Sequence, residues 1–292
     1  MDLRFSRFHP LVSFLYYIGA VALVITMLHP MFLLAGLAVI LLVNYLHDQM
    51  QGLKRWKWLM VTTFVLLLLF NPLFNQRGRH LLFVLGDHRV TLESVLYGGM
   101  NALSIIAILA LFVSYNIIMS PNKLLFLFSK FLPQFAVLLM LTLRFIPLMR
   151  RRVEEISLIQ TSKGISITEG TWRTRIKTGM LYIQALLTFS LEEAIQTADS
   201  MKARGYGQGA RSSYEYFKFT RTDLVTVVFL TLLFLFILYG RVSGFGFLTI
   251  YPLMEAWTFA QMDFVFLGCF ILYLSFPILV EAGEFFRWRI LN

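Results

Sequence analysis

Two short triplets, Ser162-Lys163-Gly164 and Ala203-Arg204-Gly205, each close a long polar stretch with a small residue, a base and a glycine. The chemistry these residue types offer is recognition rather than bond breaking. An arginine at a helix end presents a planar, permanently charged fork that fits a carboxylate bidentately. Lys163 brings charge to the matching place without that fork. The same residues also satisfy ordinary helix physics. Glycine accepts the left-handed conformation just past a helix C-terminus, and a cation in the last turn complements the helix dipole. Capping alone accounts for either triplet taken singly. Their duplication, behind Glu154-Glu155 and Glu192-Glu193, sets a docking reading beside the capping one.

Arg150-Arg151-Arg152 also has two readings, an anchor for anionic headgroups and a contact for a partner protein, with the anchor preferred. Catalytic patterns are missing from the sequence. It contains no HExxH, no Gly-x-Ser-x-Gly and no Gly-x4-Gly-Lys-Ser/Thr, so metalloprotease, serine-hydrolase and ATP-hydrolysing chemistry are not expected of this chain. The single cysteine, Cys269, excludes an intramolecular disulfide. His80 with Gly86-Asp87-His88 reads as a solvated loop rather than a metal site.

The elements that must position the triplets sit in an oily chain. Of 292 residues 58% are hydrophobic and only 14% charged, against about 25% charged in soluble domains, which places the chain in the polytopic membrane class. Apolar runs near membrane length cover Leu11–Leu28, Met31–Leu46, Trp58–Phe70, Met100–Met119, Leu224–Tyr239 and Phe264–Val280. The first carries no small-residue cleavage site and is expected to be kept as a membrane helix. Arg4, Arg7, Lys54, Arg55, Lys57, Lys123, Lys130, Arg287 and Arg289 fall on one side if each run crosses once, so the N-terminus is expected in the cytoplasm. The other side would carry the His29-Pro30 turn and the loops around Asn75–Glu93 and Arg241–Asp263. Asn101 and Asn116 are expected to make hydrogen bonds between membrane helices.

Residues 144–221 stand apart, with 13 of the 26 Lys and Arg and 7 of the 16 Asp and Glu. Apolar residues there keep helical spacing at Leu139, Leu143, Ile146, Val153 and Ile156, then at Met180, Ile183, Leu187, Leu191, Ala194, Ala198 and Met201. Two amphipathic helices of about thirty residues follow, bent at Pro147 and separated over Gly164–Gly170. The fold class is thus all-α: about six transmembrane helices and two long amphipathic cytoplasmic helices. The divisions are 1–132 for the N-terminal membrane helices, 133–222 for the polar helices and 223–292 for the C-terminal membrane helices.

The passage TLRFIPLMRRRVEEISLIQTSKG, followed by SLEEAIQTADSMKARGYG, resembles the signature region of the T component of energy-coupling factor (ECF) transporters, the EcfT/CbiQ-like family. Arg144, Phe145 and Pro147 match its Arg-Phe-x-Pro stretch, and Ala203-Arg204-Gly205 its terminal triplet. The first triplet departs from it, and the family's N-terminal Asp-Pro-Arg stands here as His9-Pro10-Leu11. The run Phe264–Val280 adds a segment to the five of well-known members.

The resemblance implies a non-enzymatic scaffold in a bacterial or archaeal cytoplasmic membrane. Such a scaffold joins two ABC ATPase subunits, which hold ATP and Mg, to a membrane S component that binds a vitamin or metal ion. It further implies that the two triplets dock on the ATPases and that this chain itself binds no cofactor and no nucleic acid. Asn71-Pro72-Leu73-Phe74 after the third run resembles systems for thiamin or its pyrimidine precursor, a weak pointer to cargo. An independent secondary transporter or channel is the rival reading. The membrane runs carry almost no charge, which counts against it.

Overall fold

The computed structural model describes residues 4–75, 78, 80–85, 88–129, 131–164, 171–209, 217–249 and 261–291. Outside them lie 165–170 of the expected helix break, Arg77, Arg79 and Gly86-Asp87 of the first expected loop, Lys130, and 250–260 of the second loop.

A 3-10 turn (Arg4–Arg7) leads into α1 (Pro10–Thr26), α2 (Pro30–Asp48) and α3 (Gln51–Phe74). An antiparallel hairpin of β1 (Leu81–Leu85) and β2 (His88–Thr91) precedes α4 (Leu92–Ile118), α5 (Pro121–Ser129), α6 (Pro133–Ser162) and α7 (Trp172–Ala203). The last helices are α8 (Arg221–Val242), α9 (Gln261–Leu274) and α10 (Phe276–Leu291). The protein is a polytopic, almost wholly helical membrane protein. Helices α2, α3, α4, α6 and α8 are each long and apolar enough to cross a bilayer; α1 is a shorter apolar helix of 17 residues.

Local chemistry sets the helix starts. Pro10 and Pro30 occupy first-turn positions, where a missing N–H costs nothing. His9 and His29 cap them, their Nδ1 atoms accepting from the Leu11 and Met31 amides. The His9 ring thereby supplies the acceptor that an aspartate before proline would offer. At α8, Thr220 and Asp223 form a reciprocal capping box.

Four features differ from the sequence expectations. The run Leu81–Leu85 pairs with His88–Thr91 as a hairpin instead of remaining loop, since it is apolar and too short for a helix. A short helix, α5, begins at Pro121. The last expected run is broken at Ser275 into two helices bent by 58°. Pro277 explains the break, because it cannot donate to the preceding turn and its ring crowds the carbonyl four residues back. Finally, α6 is long and apolar enough to cross a bilayer. Its apolar part, Pro133–Leu143, precedes the charges from which the polar reading began.

The chain forms two compact units: Met1–Leu124 with Phe217–Asn292, called here the membrane unit, and Leu125–Tyr216, the coupling unit. The membrane unit is knit by buried aromatic rings and by hydrogen bonds between helices, which matter where lipid supplies little hydrophobic drive for association. Phe5, Tyr16 and Tyr17 pack edge to face, and Tyr16 stacks on Tyr273. Tyr16 Oη donates to the Leu274 carbonyl at 2.8 Å; Tyr17 Oη and His47 Nδ1 lie 2.7 and 3.0 Å from Ser114 Oγ. Asn44, buried in α2, donates to the Ala110 carbonyl of α4. This amide bridges two helices, whereas Asn101 is half-buried and Asn116 exposed. Lys123 is pinned too, its Nζ donating to the Ser6 and Ile118 carbonyls, and burial lowers its pKa.

In the coupling unit α6 packs on α7, and burial is sparse among the described residues. Among the described residues of this unit, Ala136, Thr178 and Tyr182 are the buried ones.

Candidate coupling site

Both triplets sit where the two long helices end, and their backbones match. Lys163 is the C-cap of α6 with φ −89° and ψ 7°; Arg204 is the C-cap of α7 with φ −83° and ψ 7°. The glycines that follow are both left-handed, Gly164 at φ 74° and Gly205 at φ 76°, where a side chain would be strained. The amide of each glycine donates three residues back, Gly164 to the Thr161 carbonyl and Gly205 to that of Lys202, both at 2.9 Å. At the second end Tyr206 N–H also reaches the Met201 carbonyl at 3.0 Å, completing a Schellman motif. Ile165, at the corresponding place of the first end, lies outside the described residues.

The consequence for chemistry is orientation. A C-cap closed by a left-handed glycine turns the chain away, so the side chain of the capping base is left at the tip. Lys163 and Arg204 are both exposed there, as are Ser162, Ala203 and Gly164, with Gly205 half-buried. Ser162 differs from Ala203 in one respect: its Oγ hydrogen-bonds back to the Leu158 and Ile159 carbonyls. With α6 about 45 Å long and α7 about 48 Å, two bases are presented at the tips of two stiff rods.

The rods are fastened by contacts the sequence reading missed. The Arg152 guanidinium lies 3.9 Å from the centroid of the Phe189 ring of α7, and its Nη1 donates to Glu155 Oε2 at 2.5 Å. Arg150 and Glu154 pair more loosely at 3.8 Å. Arg152 therefore clamps α6 to α7, which neither reading of the arginine triplet foresaw. Spacing could not reveal Phe189, because the register of α6 against α7 is a tertiary fact. Arg144 stays exposed, 5.9 Å from the Phe145 ring beside it, and α6 continues through Pro147.

The Arg152 contact places Phe189 on the side of α7 that meets α6, and another face of α7 bears Ile176, Met180, Ile183, Leu187, Leu191 and Ile195. This second face is apolar over some five turns and exposed, with Leu187 at 64% and Leu191 at 70%. The helical spacing of apolar residues seen in sequence thus marks a displayed surface.

Residues 7–216, which run from the entry to α1 through both triplets, match the CbiQ family, described as cobalt transport protein. The chain belongs to the CbiQ family. Among its relatives is the energy-coupling factor transporter transmembrane protein EcfT of Leuconostoc gelidum, 28% identical over 189 residues, 60% of this chain and 67% of that protein. The EcfT proteins of Listeria innocua and Bacillus subtilis are each 26% identical, covering 63% and 64% of this chain and 71% and 72% of theirs. The CbiQ match takes in the whole coupling unit and ends before α8, so α8, α9 and α10 lie beyond it.

Proposed function

We propose that this chain is the transmembrane scaffold of an ECF-type importer, coupling ATP hydrolysis on two ABC ATPase subunits to movement of a substrate-binding S component. The observation that carries the reading is the pair of helix ends with one geometry, each presenting an exposed base just before a left-handed glycine. Arg204 grips a carboxylate in a groove of one ATPase through its fork, and Lys163 makes the weaker equivalent contact on the other. Closure of the ATPases on ATP and Mg then moves the two tips relative to each other. The helices pass that motion on because a long helix resists bending. The exposed face of α7 suits the S component: Met180, Leu187 and Leu191 give an adaptable apolar surface that tolerates a partner changing its tilt. Arg144, Phe145 and Pro147 lie at the start of the charged part of α6.

In this reading the chain is non-catalytic and binds neither cofactor nor nucleic acid. Its N-terminus and both tips face the cytoplasm. The cargo, a vitamin or metal ion, is chosen by the S component. Purification of the tagged protein from its own host in mild detergent tests the proposal. Recovery of two ABC ATPases and a small membrane protein is the expected result. Recovery of the chain alone, whatever the detergent, overturns it.

A further inference from the structure

Among the described residues, three ionisable side chains from three different helices grip the backbone of residues 5–9. Glu281 of α10 accepts from the Phe5 amide at 3.2 Å, and Lys123 of α5 donates to the Ser6 carbonyl at 2.6 Å. Asp223 of α8 accepts from the His9 amide at 3.2 Å. Hydrogen bonds with one charged partner are stronger than neutral ones. The stretch needs such help, because a 3-10 turn of four residues makes few bonds of its own. Phe5 adds a plug. Its fully buried ring meets Tyr16, Tyr17 and Phe276 edge to face and stacks on His47.

Two of these grips stand where the chain passes between its units. It leaves the membrane unit at Leu124, next to Lys123, and comes back at Phe217, shortly before Asp223. Lys123 is also fixed to the end of α4, donating to the Ile118 carbonyl at 2.9 Å. Asp223 is fixed to the start of α8, where its other oxygen accepts from the Thr220 amide at 2.8 Å. The Phe219 ring, on the returning strand, lies edge-on to the His9 ring at 5.2 Å. Both connections are therefore tied to residues only three apart, whose Cα atoms can be separated by no more than about 11 Å.

We propose that residues 5–9 are a clasp that holds both roots of the coupling unit at one place, with Lys123 and Asp223 as positioning residues for coupling. A lever relays a push only from a held root. With the clasp closed, displacement of the tips at Lys163 and Arg204 goes into the long helices; with it open, the roots give way. The clasp stands on the contacts of the membrane unit alone, while its part in coupling rests on the proposed function.

Spin labels on the full chain test both. In a Cys269→Ser background, Asn122→Cys and Lys218→Cys mark the two roots at exposed positions. Double electron–electron resonance in lipid nanodiscs should give a narrow distance distribution. Lys123→Met should broaden it about twofold by releasing one root, and Lys123→Arg, which still donates, should restore it. Asp223→Asn keeps one carbonyl oxygen for either His9 or Thr220 and should broaden it less; it decides the question if Lys123→Met does not fold. Gly240→Leu, which overpacks α8 against Phe266, should lower the melting temperature and leave the distribution narrow. Unchanged width in Lys123→Met and Asp223→Asn, or equal broadening by Gly240→Leu, overturns the clasp. With co-purified ATPases, ATP plus vanadate should leave the root distance unchanged in the parent chain and shift it in Lys123→Met, with ATPase recovery equal in both. A root distance that shifts in the parent chain overturns the part in coupling. If no ATPase co-purifies, it is the coupling reading that fails, and the label distances still decide the clasp.

Discussion

In the membrane unit Tyr17, His47 and Ser114 spend their polar atoms on one another, and Asn44 and Tyr16 reach carbonyls of neighbouring helices. Among the described residues of the coupling unit, α6 and α7 make their side-chain hydrogen bonds within their own helices, as at Glu155, Ser162, Thr188 and Gln196, and a broad apolar face is left outside. The first pattern specifies packing of a chain against itself. The second suits a surface completed by other polypeptides, since burying Leu187 or Leu191 at about 2 kcal/mol each is stabilisation still to be collected. Stability and coupling should therefore be separable by mutation.

The largest expected effect breaks coupling alone. Arg204→Glu should reduce ATPase recovery on the order of a hundredfold through charge reversal at a fork, with the melting temperature of the isolated chain unchanged, because Arg204 is exposed. A melting temperature that falls with it would show that the tip is part of the fold. The converse substitution is Gly240→Leu. A Cβ at Gly240 would run into the ring of Phe266, 6% exposed, so overpacking should cost about 1–3 kcal/mol of stability. Thermal unfolding in detergent measures it, and ATPase recovery per folded molecule should hold.

Smaller effects sharpen the contrast. Arg204→Ala should lose more ATPase binding than Lys163→Ala, measured by pull-down with purified ATPases; an equal or reversed order would make the first tip the equal of the second. Arg152→Ala removes a cation–π contact and an exposed ion pair, about 1 kcal/mol together. It should speed hydrogen exchange around Phe189 while leaving the membrane unit protected.

The smallest effect concerns the membrane unit and pH. Burial lowers the His29 pKa below 6.5, although Asp263 pulls the other way. The neutral ring is also the one whose Nδ1 caps α2. Folding thus favours the neutral form, so this contribution is whole above pH 6.5 and is lost as pH falls through the lowered value. A drop in melting temperature of about 2 °C or less is expected by pH 5, and His29→Asn, which caps without titrating, should abolish it.

Much of this was legible in the chain. Long apolar runs place helices because lipid leaves backbone groups no partner but their own helix. Base followed by glycine ends a helix because of the left-handed C′ position, so both tips could be read to the residue at Ser162 and Ala203. Thr220 and Asp223 carry a capping signal that spacing alone would have disclosed. The hairpin and the Ser275 break were less visible, since a short apolar run suits strand or helix and Pro277 lies inside an otherwise continuous stretch.

Sequence by itself determined the membrane class, the two long helices and the residues at their tips, all of which follow from local propensity and solvent partition. Tertiary structure decided which faces those helices keep for themselves. Arg152 meets Phe189, Asn44 rather than Asn116 bridges helices, and the periodic apolar residues of α7 point outward. The physical reason is that periodicity fixes which residues share a face, while register and neighbouring elements decide what that face meets.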